Sequence, residues 1–152
     1  MVRASPAGTV LQGGRAKAYR PLPPAKRRAA IRAGIEAYDR DDFFLAHELL
    51  EPAWMGTRDV AERELLQGLI KLAAAFVHGA RSNPAGIAKN LRGARDRLGA
   101  SGSAGDRLGI DVPAIVRAID RRLDARIDAA APAIPVERIG PRTVEAGEPG
   151  AG

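Results

Sequence analysis

Apolar residues recur at helical spacing along most of the chain and predict an all-α protein, a compact multihelical bundle of about five helices. The first helix is expected over about residues 24–39. Asp41 or Asp42 can cap the second, which carries a run of Phe and Leu side chains. Pro52 lacks an amide donor and clashes with the preceding turn, so this helix should bend or stop nearby.

The third and fourth helices have clear start signals. Asp59 and Glu62 have the spacing of a capping box, and the residues that follow are apolar around most of the helix, which predicts a central, buried position. Asn83 and Pro84 end this helix and begin the next, with Asn as cap and Pro in the first turn. The fourth helix then carries a narrow apolar stripe.

The remaining segments divide the chain. Residues 99–110 are expected to form a Gly/Ser loop, and Asp111 to open the last helix. We therefore predict a flexible basic arm (1–23), a single helical domain (24–131) and a Pro/Gly-rich tail (132–152), with both ends disordered. No segment alternates convincingly with the period of a β-strand.

The basic charge of the chain is uneven. Residues 1–32 carry eight basic side chains and no acidic one, whereas the other 120 residues hold 16 basic and 18 acidic groups. The excess positive charge therefore lies at the N-terminal end of the chain. Nucleic-acid association through that arm is one hypothesis, and its candidate residues are Arg15, Lys17, Arg20, Lys26, Arg27 and Arg28.

Composition excludes several classes of protein. The chain has no cysteine, so disulfides, thiolate metal sites and a cysteine nucleophile are ruled out. No apolar run is long enough to span a membrane, and no signal peptide is evident, so we expect a cytoplasmic protein without a membrane partner. Small residues at Ala29, Ala33 and Ala37 would allow close packing with a second copy, so a homodimer is a further expectation.

Candidate chemistry is concentrated between residues 38 and 78, where both histidines and five of the six aromatic residues lie. On the second helix, His47 and Glu51 are four residues apart and share a face, with Glu48 beside them. On the third helix a polar stripe crosses an otherwise apolar surface at Gln67, Lys71 and His78. Polar groups there need partners, and we expect the carboxylates of the second helix to supply them.

Three interpretations of this stripe remain open. One is a buried polar network that fixes helix register through a Glu–Lys ion pair. Another is acid–base catalysis of the hydrolase type, metal-assisted or not, with candidate residues His47, Glu48, Glu51 and His78. A bound metal is not expected, because the ligand set is incomplete and Lys71 would repel a cation; its ligands would be His47, Glu51 and His78.

The motifs AHELLEPAW (46–54), LLQGLIKLAAAFVH (65–78) and NPAGIAKNL (83–91) resemble the DUF309 family of unknown function. The weaker continuation LGIDV (108–112) also fits. The resemblance implies a compact multihelical domain with no established activity, found in prokaryotes and plastid-bearing lineages. The family's recurrent polar positions correspond here to His47, Glu48, Glu51, Trp54, Gln67 and His78.

Two positions depart from the family pattern. Lys71 stands where a second glutamine is usual, and Pro52 stands where a helix former is commoner. The lysine favours an internal salt bridge. The leading hypothesis is thus a helical domain without catalysis, which binds a small ligand or a partner chain at the stripe through Trp54, Gln67 and Lys71.

Overall fold

Helices make up most of the computed structural model, which describes residues 8–140. Within that range the helices are α1 (Pro24–Asp39), α2 (Phe43–Met55), α3 (Val60–Ala80), α4 (Pro84–Gly99), α5 (Ala104–Leu108) and α6 (Val112–Asp124). A two-stranded sheet of β1 (Thr9–Gln12) and β2 (Arg15–Ala18) precedes them. The predicted helical class is confirmed, with a short helix, α5, inside the segment predicted to be a loop.

The helix ends follow the side chains that cap them. Asp42, Asp59, Asn83 and Asp111 each accept a hydrogen bond from the backbone N–H three residues on, as expected of N-cap residues. Pro52 lies inside α2, which continues to Met55 and has Gly56 as its C-cap. Its position near the C-terminus limits the damage that a missing donor can do.

α3 is the centre of the molecule. It packs against α2, α4, α5 and β1, while α1 covers α2 and α6 covers α4. Its side chains are buried on several faces, and Leu65, Leu66 and Leu72 have no exposed surface. The predicted central position of this helix is confirmed.

α3 and α4 approach closely at a glycine. A Cβ atom on Gly68 would lie 2.7 Å from the side chain of Leu98 and 3.2 Å from its backbone nitrogen. Glycine therefore allows the two helices to pack at this separation.

The N-terminal arm differs from its prediction as a flexible extension. Its residues 9–18 form an antiparallel hairpin that pairs Thr9 with Ala18 and turns through Gly13 and Gly14, both with positive φ. Val10 and Gln12 point inward and are 6% and 1% exposed. The strands are only four residues long, too short for their alternation to stand out in the sequence.

The start of the tail is also packed, whereas the sequence predicts disorder. Ile134 and Val136 are almost fully buried, and the Tyr38 hydroxyl donates a 2.6 Å hydrogen bond to the Ile134 carbonyl. Burial raises the pKa of Tyr38, so the phenol stays protonated as this donor. Residues 1–7 and 141–152, which complete the predicted arm and tail, lie outside the described residues. The division into arm, domain and tail stays a prediction.

No helix in the described part of the chain is both long and apolar enough to cross a membrane.

Candidate functional site

Two polar sites, not one continuous stripe, occupy the region around α2 and α3. The first is an open groove between the two helices, of about 220 Å³. The second is an internal network beneath the hairpin. Of the polar positions predicted from the sequence, three lie in the groove and two in the network, whereas Glu51 and Lys71 lie in neither. They cannot all contact one ligand.

The groove collects side chains from both helices. Phe44, His47 and Glu48 lie on the α2 side, and Ala74, Val77 and His78 on the α3 side, with Arg81 just beyond the end of α3. The side chains of His47 and Glu48 are 32% and 53% exposed, and Phe44 is 63% exposed. The groove is therefore open to solvent, with an apolar floor and polar groups of both signs.

His78 has a defined orientation in this groove. Asn83 uses its amide oxygen to cap α4, accepting from Gly86 N–H at 3.1 Å. Its amide nitrogen lies 3.1 Å from Nδ1 of His78, so Nδ1 accepts and the neutral ring carries its proton on Nε2. A Cβ atom on Gly86 would lie 2.5 Å from Nδ1, so glycine leaves the space for the ring. His78 thus offers a donor.

The exposed surface of α2, at the edge of the groove, carries a group of potential metal ligands. His47, Glu48 and Glu51 each provide an atom within 4.8 Å of the others. His47 Nδ1 lies 3.8 Å from a carboxylate oxygen of Glu48. Two ligands of a tetrahedral zinc ion, each bonded at about 2.0–2.2 Å, lie about 3.3–3.6 Å apart, so rotations of these side chains would let the three share an ion.

Glu51 does not line the groove. It faces a neighbouring cleft of about 370 Å³, formed with Arg20, Leu22 and Met55. Glu48 lines both the groove and this cleft, so it lies at the boundary between them.

Trp54 and Gln67 lie in the internal network instead, where both bind Gln12 of β1. The Trp54 indole N–H donates to Gln12 Oε1 at 3.1 Å, and Gln12 Nε2 donates to Gln67 Oε1 at 2.8 Å. Gln12 is 1% exposed, so these bonds satisfy a buried amide. Trp54 and Gln67 therefore anchor the hairpin to α2 and α3.

Arg63, which the sequence analysis did not single out, is the centre of this network. It is fully buried, and its guanidinium donates to Gln12 Oε1 at 3.2 Å and to the carbonyls of Trp54, Thr57 and Ala18 at 2.9–3.0 Å. The same group lies 4.6 Å from the centre of the Trp54 ring. Burial lowers the pKa of Arg63 from its ordinary value. The signal in the sequence was its spacing, since Arg63 precedes Leu66 by three residues on an apolar face.

Lys71 does not meet Glu51, so the predicted Glu–Lys ion pair is wrong. Among residues 8–140 Lys71 forms no salt bridge. Its aliphatic chain crosses α4 at Gly93, where a Cβ atom would lie 2.8 Å from Cδ. Partial burial lowers the pKa of Lys71, and the nearby charges of Arg97, Lys17 and Lys89 lower it further. Lys71 thus lies against α4 and lines neither the groove at His47 nor the cleft at Glu51.

The basic residues of the predicted nucleic-acid arm are dispersed over different parts of the fold. Lys17 lies near Lys71, Arg27 forms a 2.7 Å ion pair with Glu62, and Arg28 lines a cavity beside α1. Nucleic-acid association through the arm stays a prediction.

A family model described as "Domain of unknown function (DUF309)" matches residues 31–90. The match runs from α1 into α4 and includes the groove residues of α2 and α3. No curated protein and no solved structure matches the chain.

Proposed function

From the match of residues 31–90 to the DUF309 family model and from the geometry above, we propose that the chain is a small-ligand-binding module whose site is the groove between α2 and α3. The observation that carries the proposal is the meeting of His47, Glu48 and His78, from two helices, on one open groove. Concave sites with apolar lining and a few convergent polar groups are the usual places for small ligands.

The charges of the groove favour a zwitterion with an apolar side chain. His78 offers Nε2–H and Arg81 a guanidinium, a pair of donors suited to a carboxylate. Glu48 offers a carboxylate for an ammonium group, and Phe44 and Val77 supply apolar surface. A free amino acid with an apolar side chain has this combination of groups. The volume suits a ligand smaller than a typical drug.

The first prediction concerns charge selectivity. L-phenylalanine should bind more tightly than 3-phenylpropionate, which lacks the ammonium, and than phenethylamine, which lacks the carboxylate. The expected preference is about three- to tenfold, the factor that one charge-assisted hydrogen bond of roughly 1 kcal/mol provides at a half-open site. Titration calorimetry with the three compounds measures it.

Two variants test which side chains of the groove produce the preference for phenylalanine. Glu48→Gln should remove the advantage of phenylalanine over 3-phenylpropionate. His78→Phe should reduce its advantage over phenethylamine, since Arg81 remains as the second donor. Arg92→Ala, at an exposed position on α4, serves as the control. Equal affinity for all three compounds in the parent protein would show that the groove does not select a zwitterion.

A divalent cation is the second candidate ligand, favoured by the grouping of His47, Glu48 and Glu51. Imidazole nitrogen and carboxylate oxygen are suitable donors for zinc or manganese. Glu51→Gln should weaken zinc binding tenfold or more, a loss of about 1.4 kcal/mol, but leave phenylalanine binding unchanged. His78→Phe should weaken phenylalanine binding and leave zinc binding unchanged. If Glu51→Gln binds zinc as tightly as the parent, the three residues do not form a metal site.

A further inference from the structure

A third concave site borders helix α1 and shares no lining residue with the groove or with the cleft beside Glu51. It is a cavity of about 350 Å³ between α1, the end of α5 and the segment that follows α6. Its apolar floor consists of Ile31 and Ile35, one turn apart on α1, with Leu108 from α5. Both isoleucines are less than 10% exposed, so the surface that they present belongs to the core.

Four arginines surround this floor. Arg28 and Arg32 lie one turn apart on α1, Arg107 is at the end of α5, and Arg138 follows the buried start of the tail. Glu36 is the one carboxylate among the lining residues. The cavity therefore combines an apolar floor with an excess of positive charge.

The two pairs of arginines differ in their partners. Arg107 lies 3.4 Å from carboxylate oxygens of Asp59 and Glu62, and Arg138 lies 2.6 Å from Asp39. These ion pairs hold both side chains at the cavity. Arg28 and Arg32 are exposed, and neither has a carboxylate partner among residues 8–140. Their guanidiniums are thus available to a ligand.

We infer that this cavity binds a small amphipathic anion, whose apolar chain packs on Ile31, Ile35 and Leu108 and whose head group pairs with Arg28 and Arg32. Guanidinium forks bind carboxylate and phosphate oxygens in pairs, so either head group satisfies the chemistry. Three of the four arginines lie outside the residues that the family model matches. The cavity and the groove share no lining residue, so the inferred site does not depend on the groove.

The test uses a series of eight-carbon probes with the full-length chain. Octanoate, octyl phosphate, 1-octanol and octylamine share the same chain and differ in head group. Calorimetry should detect saturable binding of at least one of the two anions, about tenfold tighter than octanol and weaker at high salt. The tighter of the two identifies the head group. If octanol or octylamine binds as tightly as both anions, or if neither anion binds, the inference is wrong.

Paired variants assign the effect to the cavity. The double substitution Arg28→Ala/Arg32→Ala should weaken anion binding about tenfold. Arg117→Ala/Arg121→Ala is the matched control, because these arginines are also exposed, one turn apart on a helix, and their removal changes the net charge equally. An equal loss in the control would attribute binding to overall charge and overturn the inference. Anion binding should persist in Glu48→Gln and His78→Phe, which separates this site from the groove.

Discussion

Replacing Arg63 with methionine should lower the free energy of unfolding by about 3–5 kcal/mol, one of the two largest effects that we predict. Arg63 is fully buried, and three backbone carbonyls accept from it, those of Trp54, Thr57 and Ala18. Methionine has similar length but no donor. The carbonyls would be left in the interior without the hydrogen bonds that balance their desolvation, at about 1–3 kcal/mol each.

Urea denaturation followed by circular dichroism measures this loss, and a fall in melting temperature of about 10 °C or more should accompany it. Arg92→Met, at an exposed position on α4, is the control for the loss of one charge. If Arg63→Met unfolds at the same urea concentration as the parent, the guanidinium does not hold the hairpin, α2 and α3 together.

The second large effect is expected from Gln12→Leu, at about 2–4 kcal/mol. Leucine keeps the approximate volume but leaves the Trp54 indole N–H, the Arg63 Nε–H and the Gln67 amide oxygen without their present partner. Because Gln12 connects β1 to the helices, the hairpin should loosen before the bundle unfolds. Amide hydrogen exchange should therefore accelerate in residues 9–18 more than in α3.

Leu11→Gln provides the matched control, since Leu11 is the neighbouring side chain on the outward face and is 61% exposed. It should change the free energy of unfolding by less than about 0.5 kcal/mol. The Gln12 and Arg63 substitutions should not be additive, because both break the same hydrogen bond. Full additivity, or uniform exchange in the hairpin and α3, would contradict the proposed anchor.

Local signals in the sequence were sufficient to predict much of the fold. A cap such as Asp59 or Asn83 acts within three residues, and the apolar surface of α3 is continuous along one helix. The hairpin escaped prediction because its strands are short and because its stability depends on distant residues. Gln12 and Arg63 are 51 positions apart, and neither spacing nor periodicity relates them.

The sequence predicted which residues form the candidate site better than it predicted which partners they contact. Helical spacing predicted that His47 and Glu51 share a face of α2, whereas the groove contains His47 with its neighbour Glu48 and with His78. Glu51 faces the next cleft. The ion pair of Lys71 was predicted wrongly because the direction of this side chain depends on Gly93, where the absence of a side chain lets it lie across α4. The positions of Trp54 and Gln67 gave no sign that they bind a residue of the arm.

The measurement that tests the central claim most directly is a nuclear magnetic resonance titration of the labelled protein with L-phenylalanine. The claim is that the groove binds ligand, whereas Trp54 and Gln67 hold the hairpin. The account predicts chemical-shift changes concentrated at Phe44, Glu48 and His78, with the Trp54 indole signal unmoved. Changes centred on Trp54 and Gln67, or no change at the groove at saturating ligand, would contradict it.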